Sequence, residues 1–505
     1  MDALSNLLYG FSLALTPENL LACLIGVFVG TIVGVLPGIG PIGAMALLIP
    51  STFALSLTTA LIMLAGIYYG SMYGGSTTSI LVNLPGEAAS VVTSLEGYRM
   101  TQRGRAGAAL TVAAVGSFVA GTIGVVGLML FAPVLANAAL EFGPPEYFAL
   151  TVVGLAVLSR LGGGSLVKSF FMVGLGLALG TIGMEPVSGY RRFTFGFLEL
   201  GQGIELVPVA MGLFGIAEVL NVAERTEGLP EVIKVKLREL LPNRTEWARS
   251  IPAMLRGTGL GFIIGLVPGP AAVLSSFASY ALERRVSKHR DEFGHGAIEG
   301  VAGPESANNA ATAGAMVPLL ALGVPFAPAT AMLLGALVIH NVQPGPLLMQ
   351  KNPEVFWGVI ASLYVGNVML LILNLPMVGL FASLLRLPTH ILMAFVVLLS
   401  LVGTYSINNS ILDLVILIVA GGVGYILRKM QFDPAPLILA LVLGPMMERT
   451  FRQTMFMSRG DPTIFLSRPL TAALFTIGLM AYVLPFLVRR LRSRETMREV
   501  LVSKP

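Results

Sequence analysis

The chain has 505 residues, 55% hydrophobic and only 12% charged, with a mean hydropathy of +0.82. Soluble domains carry roughly 25% charged residues, so half that share together with repeated apolar runs near 20 residues excludes an ordinary soluble fold and predicts an all-α polytopic membrane protein. The net charge of +5 sits in a few loops and the tail, which gives no support to nucleic-acid binding, and the lone Cys23 excludes an internal disulfide or a cysteine-built metal site.

In chain order, no basic flank or small-residue cleavage site of a secretory signal precedes Leu20–Leu36, so this run is expected as a retained first helix. It ends in the break Gly34-Val35-Leu36-Pro37-Gly38-Ile39-Gly40-Pro41. Apolar segments follow near 39–54, 57–73, 106–137, 145–160, 164–183 and 203–220. A mixed-charge stretch at 221–250 is read as the cytoplasmic connection between a first repeat, 1–220, and a second, 251–465. In the second, apolar segments lie near 251–267, 270–282, 307–325, 327–341, 353–385, 388–405, 409–428 and 435–447. A further helix near 469–488 and a basic tail make up 466–505. Several segments are too short to span alone, which predicts half-helices or re-entrant hairpins.

The second half repeats the first. Gly265-Leu266-Val267-Pro268-Gly269-Pro270 lies 231 residues after the first break, Asn83-Leu84-Pro85 corresponds to Gly323-Val324-Pro325, and Pro208–Glu218 resembles Pro436–Glu448. Loop charge predicts how the repeats sit. The tail at Arg489–Arg494 is strongly basic and residues 1–35 hold no Lys or Arg, which favours a cytoplasmic C-terminus and a periplasmic N-terminus. The uncharged turn at 54–57 corresponds to the basic loop at 283–290, and the basic loop at 99–105 to the weakly charged 342–352. That exchange is expected of inverted-topology repeats; Arg191-Arg192 and the group Arg449, Arg452, Arg459 fit it poorly.

Unwound backbone and polar side chains are costly in lipid, so their recurrence in two halves points to a site between them. In each break proline fixes φ, glycine turns the chain, and the helix start beyond offers N–H groups to an anion such as a carboxylate; a kink that only shapes packing is the alternative. Gly74-Gly75-Ser76-Thr77-Thr78-Ser79 offers four hydroxyls that could bond a carboxylate or ligate Na⁺, and is read as exposed backbone; back-bonding within a packed helix is the alternative. Asn83 belongs with this group, while Glu87 is expected against the basic loop. Glu305, Asn308, Asn309 and Thr312 fall on one helical face. An acid and two amides there suit a carboxylate, Na⁺ or a proton, with interhelical bonding as the alternative. Asp413 is read as a helix cap or a proton site, and the unplaced arginines as anchors or partners of acids.

Three strings, GVLPGIGP, YGGSTTSILVNLPGE and EFGHGAIEGVAGPESANNAATAGAMVPLLALGVP, resemble the large membrane subunit of the tripartite tricarboxylate transporters, the TctA family, and the resemblance runs from about residue 17 to 465. It implies a secondary transporter of the bacterial inner membrane that takes up tricarboxylates or related, citrate-like carboxylates by cation-coupled alternating access. Na⁺ is the implied coupling ion, H⁺ the alternative. The implied partners are a small four-helix membrane subunit and a periplasmic solute-binding protein. Motif matching carries the pathway onto Pro37, Gly38, Gly75, Ser76, Thr77, Thr78, Asn83, Pro268, Gly269, Asn308 and Asn309. Gly40 and Ser79 join them from the break and the hydroxyl run. Glu305 and Thr312 are coupling candidates, and Na⁺ ligands are sought among Ser76, Thr78 and Asn309. The second break reads PGPAA where the first reads PGIGP, a departure that bears on substrate fit. An intramembrane enzyme and a passive carboxylate channel are the other readings. The first lacks an H-E-x-x-H motif and an evident partner for Asp413; a G-x-x-x-x-G-K-[ST] loop is also absent.

Overall fold

A computed structural model of the chain describes residues 3–36, 40–161, 165–185, 189–224, 241–342, 344–384 and 389–480. The basic tail, most of the connecting stretch, Pro37 and Gly38 lie outside the described residues. The described chain is almost wholly helical. In the first half come α1 (Ala3–Ala14), α2 (Pro17–Val35), α3 (Gly40–Leu48), α4 (Leu57–Val82), α5 (Val91–Gln102), α6 (Ala106–Ala139), α7 (Pro144–Leu161), α8 (Leu166–Gly180), α9 (Leu206–Ala210) and α10 (Ala217–Ala223). A π-helical stretch, Met211–Ile216, joins the last two. The second half holds α11 (Arg244–Gly265), α12 (Ala271–Val286), α13 (Glu299–Leu322), α14 (Pro328–Ile339), α15 (Leu348–Lys351), α16 (Pro353–Asn374), α17 (Val378–Leu384), α18 (Thr389–Asn408), α19 (Ile411–Lys429), α20 (Ala435–Met457) and α21 (Ile464–Ser467). Five described helices are long and apolar enough to cross a membrane: α2, α6, the continuous run Leu206–Ala223, α16 and α19. This is a multi-pass membrane protein.

The contacts divide the chain into two compact units, residues 1–140 with 204–434, and 141–203 with 435–505. In the second unit α7 and α8 pack on α20, with Gly176 against the Leu437 backbone. Phe148 there gathers Phe451 and Phe465, the latter at 4.9 Å between ring centroids.

The first unit is built on two glycine seams. A Cβ on Gly26, Gly30 or Gly34 of α2 would lie 2.2, 2.5 or 2.3 Å from the carbonyl oxygens of Met63, Ile67 and Ser71 on α4. A Cβ on Gly257, Gly261 or Gly265 of α11 would lie 2.2, 2.1 or 2.5 Å from those of Gly303, Ala307 and Ala311 on α13. Spacing by four places each set on one face, and the missing side chains let the backbones meet where no hydrophobic drive between helices exists. The glycines of α11 stand 231 residues after those of α2, and their partners 240 after theirs. Both long partner helices end in a left-handed residue, Asn83 (φ 58°) and Gly323 (φ 69°).

Three features differ from the sequence reading. A helix, α1, precedes α2; it is too short to span and packs on α16 through Gly10 against Trp357. The connecting stretch gives way to helix at Arg244, where Asn243 caps α11 through the Glu246 N–H at 2.9 Å. Gly74–Ser79 is not unwound: α4 continues to Val82, and Gly74 packs on the Thr31 carbonyl.

The connecting loops gather at two places in this unit. The Glu96 carboxylate, fully buried on α5, accepts N–H bonds from Gly294, Gly296 and Ala297 at 2.5, 2.7 and 2.9 Å, and Arg105 pairs with Glu246. The segment at 294–297, which follows the basic loop at 283–290, therefore packs on α5 beside Arg99 and Met100. At the other place, Phe53 stacks on His340 with centroids 6.3 Å apart, and Gly358 packs on Thr58.

Candidate functional site

Four elements meet around Glu305: α4, α5, α6 and α13. The Glu305 side chain is fully buried in the second turn of α13. Its carboxylate accepts bonds from the hydroxyls of Ser76 on α4, at 2.5 Å, and Thr93 on α5. One turn further along the same face, Asn309 donates its amide N–H groups to Ser117 Oγ of α6 at 2.8 Å and to the Glu305 carbonyl at 3.0 Å. Asn308 donates to the Glu87 carboxylate at 3.3 Å. The Oδ1 atoms of both asparagines are buried with no hydrogen-bond partner. A buried carbonyl oxygen without a donor is an uncompensated desolvation cost, about 1–3 kcal/mol each.

Asn309 spends both amide N–H groups and Asn308 spends one, while both amide oxygens stay free to accept. Two carboxylates, the half-buried Glu87 and Glu305, border this cluster, and among the described residues no Lys or Arg side chain bonds to either. Oxygen-rich surroundings with two carboxylates suit a hard monovalent cation or a proton. Ser76, Thr77, Tyr73 and Ser117 line a cavity of about 10 Å³, room for about one water and not for a tricarboxylate.

The remaining residues singled out in the sequence fall as follows. Thr78 and Ser79 are buried and donate to the Gly75 carbonyl at 3.1 and 3.0 Å, and Thr312 donates to the Asn308 carbonyl at 3.1 Å. Gly75 lies under the Glu87 side chain, with a Cβ there 2.7 Å from Glu87 Cγ. Asn83 is the exposed, left-handed end of α4. Gly40 opens α3 at φ 63° with open space where a Cβ would stand. In the second break Pro268 is half-buried, and Gly269 (φ 144°) donates its N–H to the Phe326 carbonyl at 2.8 Å, so that donor is not free for an anion. Gly86 stands 240 residues before Phe326 and packs on Gly34, so each half closes its post-cap segment onto its own break.

Glu87 is not at the basic loop. It caps the turn at Ala88–Ser90 through the Ala89 N–H at 3.0 Å and reaches Asn308. Thr93 and Asn367 also escape a sequence reading. Asn367 of α16 accepts from the Tyr73 hydroxyl at 2.6 Å and donates to Thr122 and the Phe118 carbonyl of α6. Away from the site, Ser410 caps α19 and Asp413 accepts from Asn408 at 3.0 Å, which places Asp413 in the first helical turn, where a negative charge is stabilised. Arg192 and Arg452, two of the five arginines that fit the charge pattern poorly, pair with Glu448 in the second unit.

The chain matches the family described as the tripartite tricarboxylate transporter TctA family over residues 20–439. It is 48% identical over 491 residues, 96% of this chain and 97% of the relative, to an uncharacterized 52.8 kDa protein in the TAR-I ttuC' 3' region of Agrobacterium vitis. An uncharacterized protein in the TAR-II ttuC' 3' region of the same organism is 47% identical over 227 residues, 45% of this chain and 94% of the relative. No solved structure matches the chain.

Proposed function

We propose, because the chain belongs to the tripartite tricarboxylate transporter TctA family, that it imports tricarboxylates or related citrate-like carboxylates across the bacterial inner membrane by cation-coupled alternating access. The family makes the chain a transporter component that works with partner subunits and a binding protein. In this reading the partners are a small four-helix membrane subunit and a periplasmic solute-binding protein.

One observation carries the coupling: a buried carboxylate at Glu305, beside two asparagine oxygens without donors and, among the described residues, with no basic side chain bonded to the cluster. A carboxylate substrate brought here without a cation would be repelled by Glu305 and Glu87. A cation held by Glu305 with Asn308 and Asn309 lowers that barrier, so cation and substrate bind together. Na⁺ fits the oxygen set, with H⁺ on Glu305 the alternative. The small cavity supports alternating access, because a carboxylate can be admitted only when the elements around α4 and α13 part.

Inverted repeats supply such a motion, one half rocking against the other. Their support is the paired glycine seams, the exchange of loop charge between the halves, and the packing of the 294–297 segment, which follows the second basic loop, on α5. The positive-inside bias puts that end in the cytoplasm.

Uptake of a panel of labelled di- and tricarboxylates into proteoliposomes tests the reading. Accumulation is expected only with an inward Na⁺ or H⁺ gradient, the small subunit and the binding protein. Equilibration without accumulation under the same gradient would favour a passive channel.

A further inference from the structure

The hairpin formed by α11 and α12 carries a groove apart from the cluster around Glu305. α11 runs into the break at Leu266–Pro270 and α12 folds back along it, so that Arg256 meets Glu283 at 2.5 Å. On the outer side of this pair lies a groove of about 310 Å³, lined by Leu260 of α11 and by Ala278, Ala281, Leu282 and Arg285 of α12. The four α12 residues fall at i, i+3, i+4 and i+7, one face of the helix. The floor is hydrocarbon, and a guanidinium stands at one end.

The charges around that end are unequal in their pairing. Arg249 bonds Glu292 and Glu299, and Arg256 bonds Glu283. Arg285 is exposed and makes no ion pair or side-chain hydrogen bond among the described residues. The flanks of the hairpin, Leu255, Ile263 and Phe277, are exposed and apolar, as a lipid-facing surface requires.

We infer that this groove binds an anionic phospholipid, one acyl chain along Leu260, Ala278 and Leu282 and the phosphate on Arg285. An apolar trough answers an acyl chain, and an unpaired guanidinium answers a phosphate through charge-assisted hydrogen bonds. The phosphate of a lipid and free phosphate share the second contact but not the first.

The full chain in detergent, examined by native mass spectrometry and thermal melting with added phosphatidylglycerol, phosphatidylcholine or inorganic phosphate, tests this. The wild-type protein should retain phosphatidylglycerol over phosphatidylcholine and melt higher with it. Arg285→Gln should weaken phosphatidylglycerol retention about fivefold, the loss expected of one basic contact to an anionic lipid. Ala281→Trp, at an exposed position that fills the trough, should weaken it as well. Both variants should melt like the wild-type protein in phosphatidylcholine. Equal retention of the two lipids by the wild-type protein, unchanged retention by Arg285→Gln, or equal stabilisation by inorganic phosphate would overturn the assignment. None of these readouts depends on transport.

Discussion

At the scale of single residues, the informative fact is which atoms remain free. Asn308 and Asn309 suggest a carboxylate clamp when read as residue types, because their amide groups carry donors. In the fold Asn309 spends both donors on Ser117 and the Glu305 carbonyl, Asn308 spends one on Glu87, and both amide oxygens remain free. The helical face from Glu305 to Thr312 was legible in the sequence, since it needs only the 3.6-residue period. Thr93 was not, because its bond to Glu305 joins residues 212 apart and nothing in a short polar helix announces such a partner. Thr93→Val keeps the shape and removes one of two hydroxyl donors to a buried carboxylate. A lost hydrogen bond to a charged group costs about 1.5–3 kcal/mol, so the variant should melt at a lower temperature than the wild type. An unchanged melting temperature would mean that the Thr93 hydroxyl does not hold Glu305.

At the scale of elements, glycine does two jobs that look alike in sequence. Around Gly269 it lets the chain leave helical geometry. In Gly66, Gly70 and Gly74 it lets one continuous helix lie against another. A glycine pair followed by hydroxyls fits either, and only the seam with α2 shows that Gly74–Ser79 is packed helix. The spacing by four in Gly26, Gly30 and Gly34, repeated in Gly257, Gly261 and Gly265, was the available signal. α11 offers a paired test. Gly261→Ala would put a Cβ 2.1 Å from the Ala307 carbonyl oxygen and should lower the melting temperature, at a cost of about 1–3 kcal/mol or more. Gly259→Ala, two residues earlier in open space, should leave stability unchanged or raise it by about 0.5–1 kcal/mol through helix propensity. Equal melting of the two variants would mean that the seam does not set the packing.

At the scale of the whole molecule, membrane character and the two-fold recurrence of breaks were legible from hydropathy and motif order. The division into compact units was not, because α20 belongs to the second half in sequence yet packs with α7 and α8 of the first. Loop charge suggests inverted repeats, with the basic loops at 99–105 and 283–290 on one side of the membrane. Cysteines at Gln102 and Lys288 should then react with an impermeant maleimide from one side of the membrane, and cysteines at Phe53 and Gln350 from the other, in a background where Cys23 is replaced. Labelling of Gln102 and Lys288 from opposite sides would reject the inverted arrangement.

Coupling is the central claim, and Glu305 is the residue on which it rests. Its most direct test is simultaneous measurement of Na⁺ and carboxylate flux in proteoliposomes holding the full assembly, with the wild-type chain and with Glu305→Gln, repeated under a proton gradient. The account predicts a fixed ratio of cation to carboxylate in the wild type, and loss of gradient-driven accumulation in a Glu305→Gln variant that still folds. Accumulation by Glu305→Gln at the wild-type rate and cation ratio would contradict it.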